Sequence, residues 1–595
     1  MKENGFKTKN IECDFCVVGG GMAGLCAAIA AARHGAKTVL VQDRPVLGGN
    51  ASSEIRMWIC GAHGVDNKET GLLEEIMLEN LYRNPGLKYP VWDTVLYEKA
   101  RYQENLTLLL NTTCTDLNMD RDRIESIRCW QLTSQTWMNI TAKQFADCSG
   151  DSVLRISGAE FRCGREARDE FNESHAPEFE DRKTMGNSLL MQLRKVEKHV
   201  PFIPPAWANQ YTDEELPNRN LTGHKEDNFW WLEIGGMQDT IQDSDEIRDE
   251  LYRIAYGVWA LMKNHPDGRG HEWELDWIGS LPGKRENVRY VGDHILNQND
   301  VEAEGRFDDR VAHGGWSMDD HHPEAIEYPG APTIFHPAPS PYGIPYRCLY
   351  SKNIDNLFMA GRNISATHMA MSSTRVMATC AVLGQAVGTA AAIAIHHGTT
   401  PRGVYQNHTT ELQESLMNDD VYLPWKTRPC SALSHTAKRT ATRGDVRPLL
   451  NGIDRKLNDE ANAWIGVCGE PIEYSFEGLT SITEARFIFD SDLANIKRMP
   501  NTTSVPHPTC RVPKTMLKAF VLEAKQDDGA WVTIHKETNN YQRLVRVSLN
   551  VNTTAIRFTP KKTWGSNIAY TAVPFTDTNH PAEQKGFYKI EVELE

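Results

Sequence analysis

Residues 13–43 read CDFCVVGGGMAGLCAAIAAARHGAKTVLVQD, and this stretch decides the fold. The apolar run Cys13–Val18 has strand character, a glycine cluster follows, Met22–His34 is alanine-rich and stops at Gly35, and TVLVQD is a second apolar run. Strand, tight turn, helix, strand is how a doubly wound α/β sheet begins. Gly19, Gly21 and Gly24 have the G-x-G-x-x-G spacing of a dinucleotide site. There the first glycine makes the turn, the second admits the pyrophosphate to the backbone and the third lets helix and strand pack closely. Met22 and Ala23 then contribute helix N-terminal amides. Asp43, nineteen residues after Gly24 at the end of the second apolar run, supplies the acid expected on a ribose hydroxyl, with Arg44 beside it.

Working outward, QFADCSG (144–150) and NLFMAG (356–361) are expected to return to the same sheet. The second feeds an alanine-rich helix over residues 376–395, apolar enough to imitate a membrane span and containing Gly384-xxx-Gly388. With its apolarity mostly from alanine, Gln385 at its centre and no second span, it is expected to be a buried helix packed on a sheet. Ser373 or Thr374 is its expected cap and Gly398 its stop. Between Arg165 and Pro345 lies a polar, tryptophan-rich insertion with FWW at 229–231. From Asp243 to Asn264 it carries a helical pattern on Ile247, Leu251, Ile254, Val258 and Leu261. From Asp445 onward, short alternating runs (ARFIFDSDL, MLKAFVLEAK, AWVTIHKE, LVRVSLNV, AIRFTPKK) predict an all-β domain, a β-sandwich or jelly roll. The expected division is a first part of the nucleotide domain at 1–164, an α+β substrate domain at 165–345 and the rest of the nucleotide domain at 346–403. A connecting segment at 404–444 and the β-sandwich at 445–595 complete it.

The stretches at 45–64 (PVLGGNASSEIRMWICGAHG), 145–154 (FADCSGDSVL), 281–301 (LPGKRENVRYVGDHILNQNDV) and 342–392 resemble the FAD-dependent oxidoreductases of the glutathione-reductase-like superfamily. More narrowly, they resemble the group associated with carbohydrate utilisation. The resemblance covers about residues 11–400 and implies FAD rather than NAD. It places Gly48, Gly49 and Asn50 along the phosphate and ribityl side, Gly150 and Asp151 near the nucleotide, and Gly361 with Arg362 at the second pyrophosphate element. Where the wider family has an aspartate after that second glycine, this chain has Arg362, read either as a phosphate or flavin contact or as a structural salt bridge. The amides that open the long helix, at Val376, would stabilise negative charge on a reduced flavin, with Arg375 adding to the field. After Asp445 the chain is similar to discoidin-like domains, with Asn451, Gly452 and Trp464 at the matching places; such a domain packs on a partner or makes oligomer contacts, or else binds glycan.

Oxidation of an alcohol needs a base for the hydroxyl proton as well as the flavin's hydride-accepting N5, and histidine suits that task. His321 and His368 are the leading candidates, then His313, with His322 and His63 behind them. Arg285 and Arg347 would orient a carboxylate or sugar hydroxyls, support the flavin or make salt bridges; Glu54 and Arg56 are similar cases. Trp230, Trp231 and Trp316 could stack on a sugar face or fill a core. The expectation is an FAD-dependent oxidation of a sugar or polyol with an unidentified electron acceptor. The alternatives are reduction of an unsaturated acid or ketone, and a glycan-binding protein whose flavin domain is a scaffold.

The 595 residues carry 64 Lys and Arg against 79 Asp and Glu, a net charge of −15, which disfavours nucleic acid and anionic membranes. Thirteen cysteines scattered as far as Cys510 suit reduced thiols. With no apolar leader at the start, a cytoplasmic location is expected, or a periplasmic one if a leader was removed. Cys13-x-x-Cys16 is discounted as a redox pair because strand alternation turns the two apart. The Asp319, Asp320, His321, His322 run is discounted as a metal site because adjacent residues rarely reach one ion; no metal is expected.

Overall fold

A computed structural model describes residues 5–64, 66–222, 228–494, 497–500 and 511–565. Cys510 and the tail of the predicted β-sandwich at 566–595 lie outside the described residues. β1 (Lys7–Val18), α1 (Met22–Arg33) and β2 (Thr38–Val41) form the predicted opening unit. Val17, Val18 and all of β2 are buried, as parallel strands covered on both faces require. β3 (Leu106–Leu109) continues the parallel order beyond β2, while β4 (Thr112–Asp120), β5 (Arg123–Gln131) and β6 (Thr136–Asp147) form an antiparallel meander. β6 lies parallel to β1 along its whole length, from Lys7 opposite Thr136 to Val18 opposite Asp147. Its other edge is shared: β5 takes Thr136–Thr141, and a later strand, Leu357–Met359, takes Phe145–Asp147. Both expected returns therefore join the sheet, which is mixed rather than purely parallel.

The insertion contributes α2 (Ser244–Asn264), whose Ile247, Leu251, Ile254 and Val258 are buried with Trp259, Met262, Phe229 and Trp231. Leu261, expected on that face, is only half-buried because the stripe drifts onto Met262. The insertion also holds a short hairpin of β7 (Met318–His321) and β8 (Thr333–His336), with His321 opposite Thr333. The strand that returns to β6 is β9 (Leu357–Met359).

The long apolar helix differs from expectation at its start and in its partner. α3 (His368–Thr374) ends in a break at Arg375 and Val376, and α4 (Met377–His396) begins after it with no side-chain cap. Thr367 caps α3 instead, its hydroxyl accepting the Ala370 N–H at 3.2 Å. α4 is long and apolar enough to cross a membrane, yet 94% of its apolar window is buried inside the protein. Its small-residue face lies on α1 rather than flat on the sheet. A Cβ at Gly384 would sit 1.9 Å from the Ala23 carbonyl oxygen, and one at Gly388 2.1 Å from that of Ala27. At the other end Gly398, at φ +60°, closes α4: its N–H donates to Ile395 and that of Thr399 to Ala394. Two further helices, α5 (Pro401–Asn407) and α6 (Thr409–Asn418), follow where a connecting segment was expected.

The chain divides into two compact units, one of residues 1–63, 86–416 and 498–508, the other of 64–85, 417–497 and 509–595. The second is built on an antiparallel sheet in the order β10 (Lys438–Ala441), β11 (Ile472–Ile488), β14 (Leu544–Thr563), β12 (Leu517–Lys525), β13 (Trp531–Glu537). The runs LVRVSLNV and AIRFTPKK, read as two strands, are one continuous β14. Among the described residues this unit has one five-stranded sheet, so the two-sheet arrangement of a jelly roll is not displayed. Trp464, Phe487, Phe489, Phe520 and Phe558 fill its core. Leu78, from the helix Leu72–Arg83, is buried in the same core, and Tyr82 stacks on Tyr541 at 4.0 Å. That helix was assigned to the nucleotide domain because a contact across 450 residues leaves no local trace.

Gly384→Ala should force α1 and α4 apart and cost about 1–3 kcal/mol, as overpacking of a filled core does. Urea unfolding measures it, and an unchanged midpoint would show that the helices are not in backbone contact.

Candidate functional site

A cavity of about 720 Å³ opens in the first unit where β1, β2, β6 and β9 end. Its floor is the turn Gly19–Gly20–Gly21. Gly19 has φ +103°, and a Cβ there would lie 2.4 Å from the Ser149 backbone. α1 starts at Gly21 with no side-chain cap, so the first-turn amides at Met22 and Ala23 end at the cavity wall, an arrangement that attracts phosphate. Gly48 forms a bridge with Gly21, and Gly49 and Asn50 continue that wall. Gly24 does not face the cavity; a Cβ there would strike the Gly19 carbonyl oxygen, so its role is the close turn of helix on strand. Gln42, missed in the sequence, accepts the Gly20 N–H at 2.6 Å and donates to Val46 O, locking the turn. Asp43 lines the cavity with its side chain 59% exposed; Arg44 lies 3.8 Å from it and 3.6 Å from Glu54.

The opposite wall comes from the loops after β6 and β9. Arg362 donates to Gly150 O at 3.0 Å, to Lys284 O at 2.6 Å and to Asp151 Oδ1 at 2.7 Å. Lys284 Nζ lies 2.7 Å from the other oxygen of Asp151, while Asn287 donates through Nδ2 to Oδ1 at 2.6 Å. Burial would raise the Asp151 pKa, but Arg362 and Lys284 outweigh it and hold the carboxylate below its ordinary value. Arg362 is thus a salt-bridged strut that also lines the cavity with Gly361. Val376 and Met377, at the uncapped start of α4, complete this end with Arg375, which donates to Asp319 O at 3.0 Å. Thr112, Thr113 and Cys114, where β4 begins, also line it and had no motif to announce them.

An elongated cavity with two glycine turns, two uncapped helix starts and an acid at the end of β2 fits an adenine dinucleotide. Residues 14–416 match the family described as FAD dependent oxidoreductase. The chain belongs to this family. No curated protein matches it. Similar solved structures include a geranylgeranyl bacteriochlorophyll reductase-like protein from Thermoplasma acidophilum, at 12% identity over 69% of this chain and 86% of that one, TM-score 0.32. FrdA of E. coli quinol fumarate reductase is similar at 13% identity over 69% and 78%, TM-score 0.27. A family 32 carbohydrate-binding module from Streptococcus pneumoniae EndoD is similar at 11% identity over 27% and 98%, TM-score 0.19. The cofactor of this oxidoreductase is FAD, and the residues above are those that would hold it.

The candidate bases of the oxidoreductase separate sharply. His321 is buried in the cavity wall with Nδ1 2.6 Å from Glu233 Oε2 and Nε2 3.4 Å from Asp319 Oδ1. Burial pushes the Glu233 pKa up, but Arg285 and His321 bring it below its ordinary value, and Asp319 is likewise held low against its burial by His321 and Arg375. Arg285 lies 3.3 Å from Glu233 and donates to Ser188 Oγ and to the carbonyls of Gly186 and Trp230. Strand alternation on β7 splits the run that looked like one cluster: Asp319 and His321 line the cavity, whereas Asp320 lies outside it against His368.

His368 does not line the cavity, contrary to its reading as a leading candidate base. Its Nδ1 lies 2.8 Å from Glu286 and its Nε2 3.0 Å from Asp320, so neither ring nitrogen is left for a substrate. His313, fully buried in the strand Arg310–Gly314, and Arg347, paired through two nitrogens with Asp309 at 2.9 and 3.0 Å, also lie outside the cavity lining. His63 stacks on Trp316 and His322 on Tyr328, both outside the lining. Trp230 and Trp316 line the cavity; Trp231 belongs to the core around α2. Arg56 is held over the Trp277 ring. Burial pushes the Cys13 thiol up to about 12 and Cys16 higher than its ordinary value, which suits inert thiols rather than a redox pair.

Asp43→Ala should weaken FAD binding about ten- to hundredfold, the about 1.5–3 kcal/mol of a hydrogen bond to a charged group; fluorescence titration of the apoprotein checks it. Burial lowers the His368 pKa, but Glu286 and Asp320 win and raise it from 6.5 to about 10. Its stabilising contribution is therefore complete below about pH 6.5 and disappears as pH climbs through about 10. The gap in urea midpoint between wild type and His368→Asn should narrow over that range.

Proposed function

We propose that this FAD-dependent oxidoreductase oxidises a hydroxyl of a sugar or related polyol, with His321 receiving the hydroxyl proton. The observation that carries the reading is the His321–Glu233 pair, buried in the wall of the same cavity as the glycine turns. Nδ1, 2.6 Å from the Glu233 carboxylate, donates to it and fixes the ring, so Nε2 is the nitrogen that would exchange a proton with a substrate hydroxyl. Asp319, 3.4 Å from Nε2, stabilises the positive charge that the ring gains on taking a proton. Arg285 and Arg375 balance the two carboxylates, so the wall can stay buried without an unpaired charge. FAD, when bound, supplies the acceptor for the hydride.

Sugar as the substrate class is supported by aromatic rings in the same wall, Trp58, Trp230, Trp316 and Phe335, which suit the C–H faces of a pyranose. The Trp316 indole N–H is buried with no hydrogen-bond partner among the described residues, a donor available to a hydroxyl oxygen. Reduction of an unsaturated acid has less support, because Arg285 and Arg375 are already paired with Glu233 and Asp319. Buried free thiols such as Cys13, Cys16 and Cys348 support a reducing compartment such as the cytoplasm.

His321→Asn should retain FAD, seen in the visible spectrum, and slow substrate-dependent bleaching about 10²–10⁴-fold, the usual contribution of a general base. Wild-type rates in this variant, on a sugar that bleaches the parent enzyme, would sink the assignment.

A further inference from the structure

α4 begins at the cofactor cavity and runs about 30 Å, twenty residues at 1.5 Å each, to a second cluster of chemically competent side chains. His397 follows its last turn, His408 lies between α5 and α6, and Glu411 sits in the first turn of α6. His397 Nε2 is 3.1 and 3.0 Å from the two Glu411 oxygens, and His408 Nδ1 is 3.1 Å from Oε2. The two imidazoles stack with centroids 3.9 Å apart, 19° from parallel. All three donor atoms lie within 4.8 Å of one another, and each side chain is partly open to solvent.

We propose that His397, His408 and Glu411 bind a zinc ion, with water completing the coordination. Two imidazole nitrogens and a carboxylate are a zinc donor set, and tetrahedral bonds of about 2.0–2.1 Å place donors about 3.3 Å apart, a few tenths of an ångström beyond the nitrogen–oxygen separations here. Without a cation, one carboxylate must serve two ring N–H groups from stacked histidines; an ion replaces both protons and satisfies all three side chains at once. Two features hold the ligands in place. The glycine closure of α4 fixes the His397 backbone, whose N–H donates to Ile393 O, and the carbonyl end of the helix carries the partial negative charge that favours a cation. His408 and Glu411, three residues apart, rise on one side of α6. A bound ion would tie the end of α4 to the start of α6. The spacing 397, 408, 411 matches no compact zinc motif, which is why the sequence pattern did not announce it.

The test uses FAD-loaded protein freed of metal by chelation and dialysis, titrated with Zn²⁺ against a chromogenic chelator. One ion per chain is expected, with a Kd of about micromolar or tighter. The affinity should fall at least about tenfold in His408→Ala and in Glu411→Gln. Zn²⁺ should raise the melting temperature of wild type but of neither variant, while all three keep the same flavin spectrum. His271→Ala, altering a separate imidazole pair with His199, should bind as wild type does. The proposal is overturned if no site tighter than about 100 µM exists, if both variants bind unchanged, or if the ion is lost in His271→Ala instead.

Discussion

Everything in the cofactor unit depends on the backbone contact between α1 and α4. Gly384 rests on Ala23 and Gly388 on Ala27, so the two helices run side by side in the same direction, each matched pair advancing by four residues. Ala23 is one residue from the start of α1 and Gly384 seven from the start of α4. The N-terminus of α4 therefore reaches about 9 Å further back along the common axis than that of α1. Both starts line the cavity, and neither is capped by a side chain. One contact thus sets two positive helix ends at different depths along a single site, one suited to the pyrophosphate and the other to the isoalloxazine end of an extended FAD.

The chemical end of the cavity is organised by alternating charges. Glu233 with Arg285 and Asp319 with Arg375 bracket His321, and against the pull of burial Glu233 is held low chiefly by Arg285 and Asp319 chiefly by His321, with Arg375 adding to it. The net charge of −15 says nothing about this wall, where opposite charges are paired locally. A parallel arrangement behind it immobilises His368 between Glu286 and Asp320 and turns a candidate base into a buried cation that braces α3. The two histidines look equivalent in the sequence, each among small and polar residues, and differ only in what strand and helix geometry places around them.

How much was legible follows from how far apart the partners are. The turn Gly19–Gly24, the acid Asp43, the loops at Gly48 and Gly150, and Gly361 with Arg362 were readable because each is a local backbone motif or part of a contiguous resemblance. Fifteen of the sixteen residues expected at the cofactor line the cavity, Gly24 being the exception. Gln42 was passed over although it precedes Asp43, because its hydrogen bond to Gly20 exists only once the two strands are paired. Glu233 escaped altogether: it lies 88 residues from His321, on a two-residue strand with no pattern of its own.

The sequence by itself determined the strand–turn–helix unit, the dinucleotide site it makes, the buried character of the long alanine-rich helix and the β character of the C-terminal region. All of these rest on periodicity and on glycines whose steric reasons are local. Only the tertiary structure decided that α4 packs on α1, that the helix Leu72–Arg83 belongs to the C-terminal unit, that two predicted strands are one, and that His321 rather than His368 faces the cofactor cavity. Those outcomes depend on which side chains meet across tens to hundreds of residues, and on an alternation in β7 that sends neighbouring aspartates to opposite faces.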